Sequence, residues 1–157
     1  KNSIIEEPVK KINVPKPLTG PDALAYKLGH EVYHREAHCA TCHQTDGKGL
    51  PAAQFPPVAG TKWSMQNEDR LIKLTLNGLY GPIEVLGKKY PGQVPMTQFG
   101  GILNDKEVAA VLTYVRNSFG NKASVITPKK VADIRAATRG KQGFYSPDEL
   151  LKQHPHE

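Results

Sequence analysis

Both cysteines of the chain lie in one pentapeptide, Cys39-Ala40-Thr41-Cys42-His43. Two thiols separated by two residues and followed at once by a histidine form the C-x-x-C-H pattern of covalent haem attachment. The spacing has a chemical reason. Two vinyl groups on one edge of the macrocycle need two thiols about a helical turn apart. The adjacent imidazole then projects onto the iron from the side on which the peptide lies. This reading makes Cys39 and Cys42 thioethers, His43 an axial ligand, and one haem c the cofactor. Three alternatives compete. A redox dithiol of the thioredoxin-like kind needs a βαβ setting, which is missing here. A zinc site would need histidines at unsupported spacings, because only two cysteines exist. A buried disulfide from a chance match is the third.

A sixth iron ligand must come from elsewhere. The chain has two methionines, Met65 and Met96. Met96 follows Pro95 in a Pro/Gly-rich loop ahead of a strongly helical segment, a position from which a loop can fold over the second haem face. Met65 sits among polar residues and reads as a surface or gap-filling side chain. His30, His34 and His38 precede the attachment segment, and reaching the second face from there is difficult. Met96 is therefore the expected distal ligand, and His/Met ligation raises the reduction potential.

These residues need elements to position them. Leu24, Leu28 and Val32 recur at helical spacing and predict a first helix starting near Pro21-Asp22. Gly29 lies inside it. A mid-helix glycine costs about 1 kcal/mol relative to alanine, so a close approach by another helix is expected to offset it. Residues 44–62 are dense in Gly and Pro and read as a long loop, of the kind that is functional or wraps around something. A second helix is expected over Glu68–Asn77, and a short hairpin over 83–90 turning at Leu86-Gly87. Residues 91–101 read as loop. The third helix has the strongest signal: Asn104 and Glu107 form a capping box, Val108, Val111/Leu112, Val115 and Phe119 make an apolar stripe, and Gly120-Asn121 stops it. Thr127-Pro128 and Ser146-Pro147 each place a cap before a proline and predict two further short helices. The expected fold is thus all-α with a small β-hairpin.

Length and charge bound the rest. The chain has 157 residues, about one domain on a prior of ~150 per domain. The formal charge of +6 divides into +2 over residues 1–21, +1 over 22–120 and +3 over 121–157. A nearly neutral centre argues against nucleic-acid binding there. No apolar run approaches the ~20 residues that span a bilayer, so no integral membrane segment is expected. Residues 1–21, broken by Pro8, Pro15, Pro17 and Pro21, read as an extended arm. The sequence begins at Lys1 without a charged and apolar leader, which fits either a removed signal peptide or a piece of a longer protein.

Cys39–His43, Gly29-x-x-x-Tyr33, Pro56-x-Val58-x-Gly60, Pro95-Met96 and Tyr114-Val115 occur in the order found in monohaem class I c-type cytochromes, and residues 22–121 resemble that family. The resemblance implies a cytochrome c fold around one covalently bound haem, flanked by an arm at 1–21 and a C-terminal extension at 122–157. It implies that Gly29 and Tyr33 cross the last core helix near Tyr114, and that the Pro56 carbonyl accepts a hydrogen bond from the His43 ring. Trp63 and Tyr90 are then haem-propionate contacts or core aromatics. At closer range, Phe55–Gly60, Gly81–Val85 and Val111–Asn121 resemble cytochrome domains attached to copper nitrite reductases or to sugar- and alcohol-dehydrogenase-like proteins, including pyrroloquinoline-quinone types. The tail looks like the second group.

The function this implies is one-electron transfer without catalysis, in the periplasm or on the outer face of a bacterial membrane. The partner would be a dehydrogenase, a nitrite reductase or a terminal oxidase. The alternative is a haem protein with an open or displaceable distal site. A c-type peroxidase would need a second attachment motif. A cytochrome c′-type binder carries its motif near the C-terminus, not at residue 39.

Overall fold

The computed structural model describes residues 12–157. Among them are seven α-helices and one two-stranded hairpin. Helix α1 spans Gly20–Tyr33, with Pro21 and Asp22 in its first turn, where a missing N–H and a negative charge are both favoured. A single helical turn, α2, covers Cys39–His43. The chain then loops outward through a 3-10 turn at Pro51–Ala53. It returns through α3, Lys62–Met65, and α4, Glu68–Asn77. Strands β1, Ile83–Val85, and β2, Lys88–Tyr90, pair antiparallel with Ile83 opposite Tyr90. Their two-residue turn needs positive φ at both positions, and Leu86 and Gly87 adopt +51° and +77°. Helix α5 covers Asp105–Arg116 with the expected capping box between Asn104 and Glu107. Helices α6, Pro128–Ala137, and α7, Pro147–Gln153, follow, capped by Thr127 and Ser146.

The principal helix pair is α1 crossing α5. A β-carbon at Gly29 would lie 2.0 Å from the Ala110 carbonyl oxygen and 2.6 Å from Tyr114 Cβ, so only glycine permits this approach. Tyr26 and Tyr33 stack against Tyr114 on either side, with centroids 5.0 and 5.3 Å away. The buried face of α1 is therefore Tyr26, Gly29, Val32 and Tyr33, with Leu28 packed partly against the core, and of the Leu24–Leu28–Val32 stripe only Leu24 is corrected. Leu24 is 68% exposed, because the glycine contact fixes the helix rotation. Helix α5 also ends earlier than its apolar pattern suggests. Asn117 caps it, and Phe119 leaves the helix at φ +61° to pack on Tyr33 and Tyr114. The long loop expected over 44–62 contains the 3-10 turn, and α3 then carries Met65 at its end.

The C-terminal extension is built into the core. Ile126, Val131, Tyr145 and Leu150 are buried in the same cluster as the residues of α4 and α5. Helix α6 packs on α5 and α4, and α7 packs on α4. Of the N-terminal arm, Ile12, Val14 and Leu18 pack partly against the core, whereas Pro8 and the rest of 1–11 lie outside the described residues. No helix among the described residues is long and apolar enough to cross a membrane.

Two arginines are buried without a carboxylate partner among the described residues. Arg70 is 0% exposed, donating to the His154 and Lys62 carbonyls and stacking over Trp63 at 4.8 Å. Arg116 donates to the Ser64, Gln66 and Ser124 carbonyls and to the Ser124 hydroxyl. Both tie down the α3 turn through carbonyls, with Glu157 acting on Arg70 and Glu68 on Arg116 from beyond ion-pair distance.

Candidate haem-binding site

The attachment turn presents Cys39, Cys42 and His43 from one short helix. Both cysteines are free. Burial pushes the Cys39 thiol up to about 12 and raises that of Cys42 as well. That shift runs opposite to the lowered pKa of a working redox dithiol. The zinc alternative also lacks ligands: no group of three or more His, Cys, Asp or Glu placed to hold a metal occurs among the described residues.

His43 is oriented by a bond from its Nδ1–H to the Pro56 carbonyl, 2.7 Å long. The proton must reside on Nδ1, because a carbonyl only accepts. The Nε2 lone pair is thereby left for a metal, the usual device for fixing a ligating histidine. Burial lowers the His43 pKa, and the Pro56 bond opposes that shift in part. The loop that supplies Pro56 is stapled from within. Gly49 N–H donates to the His43 carbonyl at 2.9 Å, Val58 and Ala59 donate to Gly47, and Leu50 pairs with Phe55. Gly49 has φ +68°, and a β-carbon there would meet the Phe55 carbonyl oxygen at 2.3 Å and the Pro56 carbonyl carbon at 2.7 Å. Tyr33 closes the near side by donating its hydroxyl to the Gln44 carbonyl.

Met96 is placed by the loop after the hairpin. Its N–H donates to the Leu79 carbonyl at 2.8 Å, and its carbonyl accepts from Leu79 N–H at 3.4 Å. Met96 and His43 line the same two adjoining cavities. The first is walled by Tyr33, Trp63, Leu71, Leu74, Val111 and Leu112 and is almost wholly apolar. The second is bounded by Cys42, Phe55, Tyr90, Val94 and Phe99. Cys39 and Pro56 border both. The structure thus brings all seven expected site residues to one cleft. Apolar walls, two neighbouring thiols, a pre-oriented imidazole and a thioether suit a haem c, which Cys39 and Cys42 would hold and His43 would ligate.

Three details refine the sequence reading. The Trp63 indole N–H donates to the Glu84 carbonyl at 3.1 Å, so Trp63 offers the cleft its ring and not its donor. Tyr90 is buried, and its hydroxyl has no hydrogen-bond partner among the described residues. His38 also borders the second cavity, whereas His30 and His34 pack on Tyr114 instead. Sequence reasoning missed the buried Arg70 and Arg116. A charged residue on an amphipathic helix reads as solvated, and nothing local to either arginine signals the carbonyls that bind it.

The fold and cleft define a c-type cytochrome, and the comparisons agree. The chain belongs to the cytochrome c family, whose "Cytochrome c" model matches residues 26–119. Cytochrome c-552 of Thermus thermophilus is 39% identical over 128 residues, covering 76% of this chain and 82% of that protein. The gluconate 2-dehydrogenase cytochrome c subunit of Pantoea cypripedii is 39% identical over 100 residues, or 62% of this chain and 22% of the subunit. The fructose dehydrogenase cytochrome subunit of Gluconobacter japonicus is 32% identical over 113 residues, again 22% of that subunit. The chain is therefore a haem c-binding electron-transfer protein or domain and not a catalyst of its own.

Proposed function

We propose that the protein is a one-electron carrier whose haem iron is ligated by His43 and Met96, and that it exchanges electrons with a periplasmic redox enzyme. The observation that supports this is that both side chains border the same apolar cleft, with His43 already oriented by Pro56. The haem supplies a metal that cycles between ferric and ferrous. The chain's residues supply the rest. Cys39 and Cys42 fix the group in register. Pro56 holds the imidazole so that its position is the same in both oxidation states. The apolar walls exclude water and so favour the state of lower charge. Tyr90, a buried residue of the cleft wall, is proposed as a haem-propionate contact, while Trp63 supports the cleft through its ring.

A dehydrogenase is the favoured partner over a nitrite reductase or terminal oxidase, because relatives include cytochrome subunits of gluconate, alcohol and fructose dehydrogenases. Periplasmic placement rests on family analogy, since bacteria attach haem c outside the cytoplasm.

The test is the optical spectrum of the oxidised and reduced holoprotein, with carbon monoxide then added to the reduced form. Low-spin spectra, the weak near-red band of an iron–thioether bond and no rapid carbon monoxide shift are expected. A high-spin spectrum, or rapid carbon monoxide binding, sinks the His43/Met96 assignment in favour of an open distal site. A Tyr90→Phe variant measured in the same redox titration is expected to shift the midpoint, and an unchanged midpoint returns Tyr90 to the core.

A further inference from the structure

The loop carrying Met96 is fastened at three points, all on one segment. Gly81 N–H donates to Gly92, Leu79 and Met96 exchange backbone bonds, and the adjoining Phe99 and Gly100 N–H groups together make the third point by donating to Thr75 and Leu76. Residues 75–81 are thus the wall against which the loop is built. That wall has a second side. Tyr145 N–H donates to the Gly78 carbonyl at 3.2 Å, and Tyr80 N–H donates to the Tyr145 carbonyl at 2.9 Å. Leu79 is therefore bridged to Met96 on one edge and to Tyr145 on the other. The Asn77 side chain donates to the Lys141 and Gly143 carbonyls. The Phe144 ring lies against Tyr80 and over Gly78, where a β-carbon would meet the Met96 carbonyl oxygen at 2.4 Å and Phe144 Cδ1 at 2.8 Å. The strap leads directly into α7, whose Leu150 is fully buried.

We propose that Phe144 and Tyr145 are positioning residues for the distal ligand: the strap 141–146 backs the Gly78–Tyr80 segment and so sets how readily Met96 leaves the iron. This rests on Met96 being that ligand. The physical basis is that Met96 is paired to the protein through Leu79 and would be held by the iron through a single weak bond. Freeing the outer edge of a three-segment ladder weakens the inner pairing. Phe144 is 40% exposed, so its contact with Gly78 contributes little to the core and chiefly restrains this segment.

The experiment compares the ferrous holoprotein of the parent, Phe144→Ala, Tyr145→Pro, Tyr145→Phe and Val131→Ala. The readouts are the rate of carbon monoxide binding at saturating gas, the ferric near-red band, and the far-UV melting curve. Proline removes the N–H that Gly78 accepts, whereas phenylalanine keeps it. Phe144→Ala and Tyr145→Pro are expected to speed carbon monoxide binding about tenfold, as the loss of one or two such restraints implies. They also lose the near-red band at temperatures where the helices remain folded. Tyr145→Phe behaves as the parent. Val131→Ala lowers the melting temperature without changing the rate at 25 °C. Should Tyr145→Pro fail to accumulate, Phe144→Ala decides. Parent-like rates and band in Phe144→Ala overturn the proposal, as does an equal acceleration in Val131→Ala, which would reduce the strap to general stabilisation. Absence of the band from the parent overturns the Met96 assignment itself, a distinct result.

Discussion

The two sides of the cleft solve one problem by different means. His43 is held by short-range structure: a single turn that also carries both thiols, and a loop whose carbonyl at Pro56 lies thirteen residues on. Met96 is held by assembly. Its loop rests on residues 75–81, which rest in turn on a strap at 141–146. Each side has one glycine at positive φ pressed against a carbonyl that positions it. Gly49 meets Pro56, and Gly78 meets Met96. The difference teaches where each ligand's security lies. The proximal side is secured by covalent bonds and local geometry. If Met96 is the distal ligand, as proposed, that side is only as firm as a chain of tertiary contacts, and ligand exchange there should be the easier.

The largest effect should come from removing the covalent part of that difference. Cys39→Ser with Cys42→Ser eliminates both thioethers, and little holoprotein is expected to accumulate. Any haem recovered should be extractable by acidified solvent, against none from the parent. Retention of haem through that extraction would contradict attachment at these two thiols.

Next come the paired glycines. Gly49→Ala and Gly78→Ala each place a β-carbon under 3 Å from backbone at a positive φ, so each should destabilise by roughly 1–3 kcal/mol. Their spectra should diverge. Gly78→Ala displaces the Met96 carbonyl and is expected to lose the near-red band. Gly49→Ala displaces Pro56 and is expected to keep the band, because the thioethers retain His43, while shifting the midpoint potential through the altered Nδ1 bond. Loss of the band in both, or in neither, would erase the asymmetry.

The same asymmetry governs what the sequence revealed. The attachment turn, the Asn104/Glu107 capping box, the helix over Glu68–Asn77 and the Leu86-Gly87 turn were legible because each is specified by neighbours within about four residues. That Met96 borders the cleft was expected from its loop, but the support of that loop was not. No local pattern in Gly143-Phe144-Tyr145 announces pairing with Gly78–Tyr80, some sixty-five residues earlier. The placing of Leu24 in the buried stripe failed for a related reason. The contact that rotates α1 is made by the absence of a side chain at Gly29, which no hydrophobic pattern records. Trp63 lines the cleft, but its donor is consumed by Glu84, a partner visible only once the hairpin folds back.

The smallest expected effect lies on the proximal side and tests whether charge adds to its security. Arg35, between α1 and the attachment turn, donates to Glu107 on α5 and also pairs with Glu31. The Arg35 bond, aided by Asn104 N–H, holds the Glu107 carboxyl below its ordinary range. A depressed folded-state pKa contributes stability that is fully present above the unfolded value of about 4.3 and is lost as pH falls through the folded value. Glu107→Gln should therefore melt at a lower temperature than the parent at pH 7 and converge with it as the pH falls below about 4. The pair is partly exposed, so the gap should be about 1 kcal/mol or less and should narrow in high salt. The near-red band should be untouched throughout, because nothing in this contact reaches the segment that carries Met96. A melting difference that persists undiminished in acid would assign the role of Glu107 to the helix cap alone.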